Sequence, residues 1–221
     1  MTDRALLERQ RRANVEFFEG VLDWRKWVEV ADELLVAADV LGERVEIHWS
    51  RWERAMEERD PAVFQALWAH ADEKLFTGHN LLLAYVLENL LKALIVKRFP
   101  KDLATRIFER RGKDAKRNQT DYFDEGMLLP YPLDIHDLVK LASEAGLSLN
   151  ALEEQLLRHF YRWSLWSARY HVPKKSKDMT ERKDILSSND PREVIAMIDR
   201  IRAAIKECPE PPRFRTAEAL T

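Results

Sequence analysis

Asn80-Leu-Leu-Leu-Ala-Tyr-Val-Leu-Glu-Asn-Leu-Leu-Lys-Ala-Leu-Ile-Val-Lys-Arg98 decides the fold class, because it is apolar on nearly every face. A helix of that kind must be surrounded by others, so the segment predicts the central member of an all-α bundle. Glu88 and Lys92 are the exception, spaced as an ion pair along a helix. The run from 81 to 96 is interrupted by Glu88, Asn89 and Lys92. It falls short of the roughly 20 apolar residues a bilayer span requires. Pro100 ends the helix.

On the N-terminal side, Trp24, Trp27, Val28, Ala31, Leu34, Leu35, Ala38 and Leu41 form the stripe of an amphipathic helix. The stripe continues through Val45, Trp49, Trp52 and Met56 and stops before Asp60-Pro61. A second helix carries Phe64, Leu67, Trp68 and Leu75 to a break at Thr77-Gly78. On the C-terminal side a short basic helix with Leu103, Ile107 and Phe108 leads into a loop over 112–133. Asp134 is the expected cap of a helix through Leu138, Val139 and Leu141, closed by Gly146. Ser148 or Asn150 opens the next, with Leu152, Leu156, Leu157, Phe160, Trp163 and Leu165 along it. The last, 191–207, starts at Asp190-Pro191 and buries Val194, Ile195, Ile198, Ile201 and Ile205. The expected architecture is an up-and-down helical bundle over 77–207, with an N-terminal helical extension over 1–76 and a flexible tail over 208–221.

The 221 residues suit one large domain, and a net charge of −2 excludes a surface that is basic throughout. Six scattered glycines leave no Gly-rich phosphate loop. The single Cys208 excludes an internal disulfide and a multi-thiolate metal site. The N-terminus lacks the apolar core of a signal peptide. A cytoplasmic protein with no membrane association is expected.

Chemistry concentrates in Arg162-Trp-Ser-Leu-Trp-Ser-Ala-Arg-Tyr-His171, followed by the basic loop Lys174-Lys-Ser-Lys177. Two guanidiniums, a phenol, an imidazole and two indoles fall within about three helical turns. Residues 97–117 add nine basic and three acidic side chains, and 169–183 add six basic and two acidic. Facing one another, the two stretches would form a footprint for RNA or a nucleotide; apart, they are solvated faces. His136-Asp137 has the look of the metal-ligating dyad of HD phosphohydrolases, for which His79 and Asp184 are the available further ligands. Asp134 and Asp137 also suit a helix N-terminus through its free amides and dipole. His70-Ala-Asp-Glu73 reads as an exposed face. The tryptophan pairs 24/27, 49/52 and 163/166 lie on apolar stripes, which favours packing over base stacking.

Three segments in order resemble the HEPN family of helical-bundle proteins. Ala84-Tyr-Val-Leu-Glu-Asn-Leu-Leu-Lys-Ala-Leu-Ile95 is similar to that family's Ala-x-x-x-Glu-x-x-Leu-Lys-Ala-Leu helix. His136-Asp-Leu-Val-Lys-Leu-Ala142 looks like the His-Asp-Leu opening of its third helix, and Ala168-Arg169-Tyr170 is similar to its closing Ala-Arg-Tyr-Pro. The resemblance covers roughly 78–205. It implies a homodimeric bundle whose functions range from RNA cleavage in toxin–antitoxin and defence systems to nucleotide binding beside nucleotidyltransferases.

Family ribonucleases carry an Arg that acts on the phosphate and, with four to six residues between the two, a His that acts on the 2′-hydroxyl proton; Arg44 and His48 are separated by only three. Here eight residues separate Arg162 from His171, one separates Arg169 from His171, and His171 stands where the family has Pro. The resemblance therefore implies, first, a nucleotide- or RNA-binding homodimer that acts with a nucleotidyltransferase or another defence partner. His136, Asp137, Arg169, Tyr170 and His171 would line its ligand site. The alternative is a metal-independent ribonuclease using Arg162 or Arg169 with His171, and a third reading is the HD-type metal phosphohydrolase. The first two call for no cofactor.

Overall fold

The computed structural model of the protein describes residues 3–58, 72–107, 129–162 and 191–211. Among these residues every regular element is an α-helix and no strand occurs, so the fold class is the all-α bundle expected. The helices are α1 (Asp3–Leu22), α2 (Trp24–Glu58), α3 (Asp72–Arg98), α4 (Leu138–Glu144), α5 (Ala151–Arg162) and α6 (Pro191–Glu207). Residues 100–107 are helical as well.

The chain divides into two compact units, one built from 1–28, 90–148 and 199–221, the other from 29–89 and 149–198. The core of the first takes Phe18 and Val21 from α1, Leu90, Leu91, Leu94 and Ile95 from α3, Leu138 and Leu141 from α4, and Ile201 and Ile205 from α6. The core of the second takes Ala31 and Ala38 from α2, Leu83, Val86 and Leu87 from α3, Leu156, Leu157 and Phe160 from α5, and Val194, Met197 and Ile198 from α6. The stretch Leu75–Arg98 is long and apolar enough to cross a membrane, yet 72% of its 18-residue apolar window is buried inside the protein. Its hydrophobicity is therefore accounted for by protein contacts.

The helix ends obey local chemistry. Asp23 separates α1 from α2, and its Oδ1 accepts a hydrogen bond from the Arg25 amide at 3.1 Å. Asn150 opens α5 through a reciprocal cap, each of Asn150 and Glu153 donating its amide to the other's side chain at 2.9 Å. Gly146 follows α4 at φ +70°, where a side chain would be strained. The Gly146 amide donates to Ser143 O and the Leu147 amide to Ala142 O, both at 2.9 Å, which satisfies the last carbonyls of the helix.

Ile195, expected to be buried on the last helix, is 43% exposed, and two further expectations need correction. Thr77-Gly78 does not break the chain, because α3 begins at Asp72 and runs through it. A Cβ at Gly42 would stand 3.1 Å from His79 Nε2, and one at Gly78 would stand 3.4 Å from Leu41 Cδ1. These glycines allow α2 and α3 to approach closely, a role that local sequence does not distinguish from a stop. Second, Asp137 rather than Asp134 caps α4, accepting from the Val139 and Lys140 amides at 3.1 Å each. Residues 131–134 are a turn, closed by Leu133 N donating to Pro130 O and Ile135 N to Pro132 O. Phe64, Leu67 and Trp68, and most of the loop placed over 112–133, lie outside the described residues.

Candidate functional site

His136 and Asp137 sit where the turn after Pro132 enters α4. His136 is exposed, while Asp137 spends its Oδ1 on the two α4 amides. Among the described residues no group of three or more His, Cys, Asp or Glu side chains is arranged to hold a metal ion. His79, the upstream ligand an HD-type centre would need, belongs to the α2–α3 contact beside Gly42. Burial lowers its pKa, against an opposing pull from Asp39. Asp184 lies outside the described residues.

Arg162 is half-buried at the C-terminal end of α5 as described. Near it, His159 has its pKa pushed down to about 4, first by burial and then by the Arg162 charge. That imidazole packs edge-on against Phe160, with ring centroids 5.4 Å apart. It is a neutral packing group at physiological pH, not a proton shuttle. Arg169, Tyr170 and His171, and the whole basic loop 169–183, lie outside the described residues.

Four cations of the other basic stretch are described. Lys97 is buried, and its Nζ donates to Ile205 O at 3.0 Å. Arg98 donates to Ala145 O beside Gly146. Arg106 donates to Tyr131 O at 3.2 Å and lies over the Tyr131 ring at 5.7 Å from its centroid. Lys101 is exposed. The Tyr131 hydroxyl in turn donates to Glu144, which raises its pKa above the ordinary phenol value. Three of the four cations are thus engaged by protein groups, which moderates this stretch as an anion footprint.

Sequence spacing gave no hint of one cluster. Lys97 Nζ lies over the Trp24 ring at 4.1 Å and reaches Glu210 Oε1 at 3.4 Å. Arg25 pairs with the other Glu210 oxygen at 2.7 Å, and its guanidinium is 4.8 Å from the Trp24 centroid. Lys92 Nζ stands 5.5 Å from the Trp27 ring, whose Nε1 donates to Val21 O at 3.0 Å. Trp24 and Trp27 are therefore occupied as cation receptors and packing surfaces, as their apolar stripe favoured. An open groove of about 770 Å³ runs beside this cluster. Its charged lining is balanced, Lys97, Arg98 and Lys101 against Asp102, Glu207 and Glu210.

Comparison with protein families, with curated proteins and with solved structures gave no match to this chain.

Proposed function

We propose that the chain is a HEPN-like protein that binds a nucleotide or RNA, acting as a homodimer with a nucleotidyltransferase or another defence partner. The observation that supports this reading is the position of the two described resembling segments along the helices. Ala84–Ile95 lies in the buried part of α3, and His136-Asp137-Leu138 opens α4 with the imidazole exposed. In this reading Arg169 pairs with phosphate through two parallel N–H donors, Tyr170 stacks on a base, and His136 and His171 border the site. Asp137 orients His136 by fixing the start of α4 rather than by touching ligand.

The test is thermal stabilisation of the full chain by ATP, AMP or a short single-stranded RNA. A ligand at about 100 times its Kd adds about 2.7 kcal/mol of stability. Stabilisation present in the wild type and lost in Arg169→Ala is expected; no stabilisation by any of these probes overturns the reading. RNA cleavage that persists in EDTA and disappears in His171→Ala would replace it with the ribonuclease.

A further inference from the structure

In the first compact unit one indole gathers two cations, and a single carboxylate joins them. Lys97 Nζ and the Arg25 guanidinium lie 4.1 and 4.8 Å from the Trp24 centroid, and Glu210 gives one carboxylate oxygen to each, at 3.4 and 2.7 Å. Two like charges drawn to one ring repel, and an anion between them offsets the repulsion. The partners are held unequally. The Lys97 side chain is only 4% exposed, and its Nζ is fixed by Ile205 O, one of the last carbonyls of α6, which have no partner within the helix. Glu210 is 59% exposed and stands beyond α6 between Pro209 and Pro211. An exposed carboxylate gains little from its ion pair, so Glu210 is exchangeable where the ammonium is not. Lys97 and Glu210 also line the open groove of about 770 Å³, together with Phe99, Pro100, Ala204 and Pro209. Phe99 is 39% exposed.

We infer that Trp24, Arg25 and Lys97 form a carboxylate receptor, that Glu210 fills it in cis, and that the groove takes a carboxylate ligand with an apolar body in its place. The head of such a ligand bridges Lys97 and Arg25 as Glu210 does, and its body covers Phe99, Pro100 and Pro209. Asp102 and Glu207 on the same groove oppose a polyanion, which disfavours phosphate and RNA there. A small acid and a peptide C-terminus both offer the required chemistry. The site does not depend on the nucleotide or RNA role proposed above.

Chemical rescue in the full chain tests the receptor. Glu210→Ala should melt below the wild type, and acetate should raise its Tm saturably, by more than chloride at equal ionic strength and by more than acetate raises the wild type. The response should fall when Arg25→Gln is added to Glu210→Ala, and Arg25 is exposed enough for that variant to keep its fold. Acetate and chloride acting alike, or an acetate response undiminished by Arg25→Gln, overturns the receptor. Calorimetry tests the groove with octanoate and N-acetyl-leucyl-leucine, against octanol and the peptide amide, which lack the carboxylate. One of the two carboxylates should bind and should slow alkylation of Cys208, the single thiol of the chain, which lines the same groove. The uncharged analogues should do neither. Binding should tighten about two- to fivefold in Glu210→Ala, where the cis competitor is gone. Preference for octanoate identifies a small acid as the source, and preference for the peptide identifies a C-terminus. Binding of neither, unchanged affinity in Glu210→Ala, or tighter binding of inorganic phosphate overturns the assignment.

Discussion

Single residues at helix ends carry measurable stability. Asp137→Ala removes the acceptor for two α4 amides and is expected to cost about 1 kcal/mol in urea unfolding. Gly146→Ala forces a Cβ into a φ of +70° and to within 3.1 Å of an Arg98 nitrogen. That left-handed conformation alone costs roughly 1–2 kcal/mol for an L residue. His159 sets a pH dependence. Its pKa is 6.5 in the unfolded chain and about 4 in the fold. Above the unfolded value both states are neutral and its contribution is complete. As pH falls towards 4, the unfolded chain takes up a proton that the fold refuses, and stability is lost. Thermal melts over this range should show a smaller fall in Tm for His159→Leu than for the wild type. Asp134 and Asp137 illustrate the limit of reading caps from sequence. Both have capping side chains, and only the backbone turn over 131–134 decides which one meets free amides.

Helices were legible where apolar period and punctuation agree. The stripe from Trp24 to Met56 became α2, and Gly146, Asn150 and Pro191 mark ends or starts as their chemistry predicts. Thr77-Gly78 misled because glycine serves two purposes, ending a helix or allowing another to come close. Substitution separates these uses. Gly20 lies inside α1, where the nearest heavy atom to an added Cβ is Lys26 Nζ at 3.8 Å. Gly20→Ala should therefore stabilise the protein by about 0.5–1 kcal/mol through helix propensity. Gly42→Val should instead destabilise it by about 1–3 kcal/mol, because the added methyls meet His79 across the α2–α3 contact. Chemical denaturation of the two variants side by side should give shifts of opposite sign. Of the candidate site, His136 and Asp137 were recognisable as a helix opening, whereas Arg169, Tyr170 and His171 fall outside the described residues.

At the scale of the whole molecule, α3 contributes leucines to the core of each unit, as its composition promised. Leu87, Leu90, Leu91 and Leu94 are fully buried, and Leu94→Ala should cost about 2–5 kcal/mol, with loss of cooperativity in the melt. The partners of Lys97 could not be anticipated in the same way. Its carbonyl acceptor is 108 residues away in sequence, and an ammonium near the end of a helix reads first as an exposed charge. The buried ammonium is held by a carbonyl, an indole face and the carboxylate of Glu210, three residues beyond the end of α6. That arrangement makes chain trimming a stability variable. A protease cut after Glu207 would remove the only anion within 4.0 Å of Lys97 Nζ among the described residues and would also break the Arg25–Glu210 pair. Digestion at that point should therefore proceed as a two-stage process, a slow first nick followed by rapid degradation of the loosened remainder.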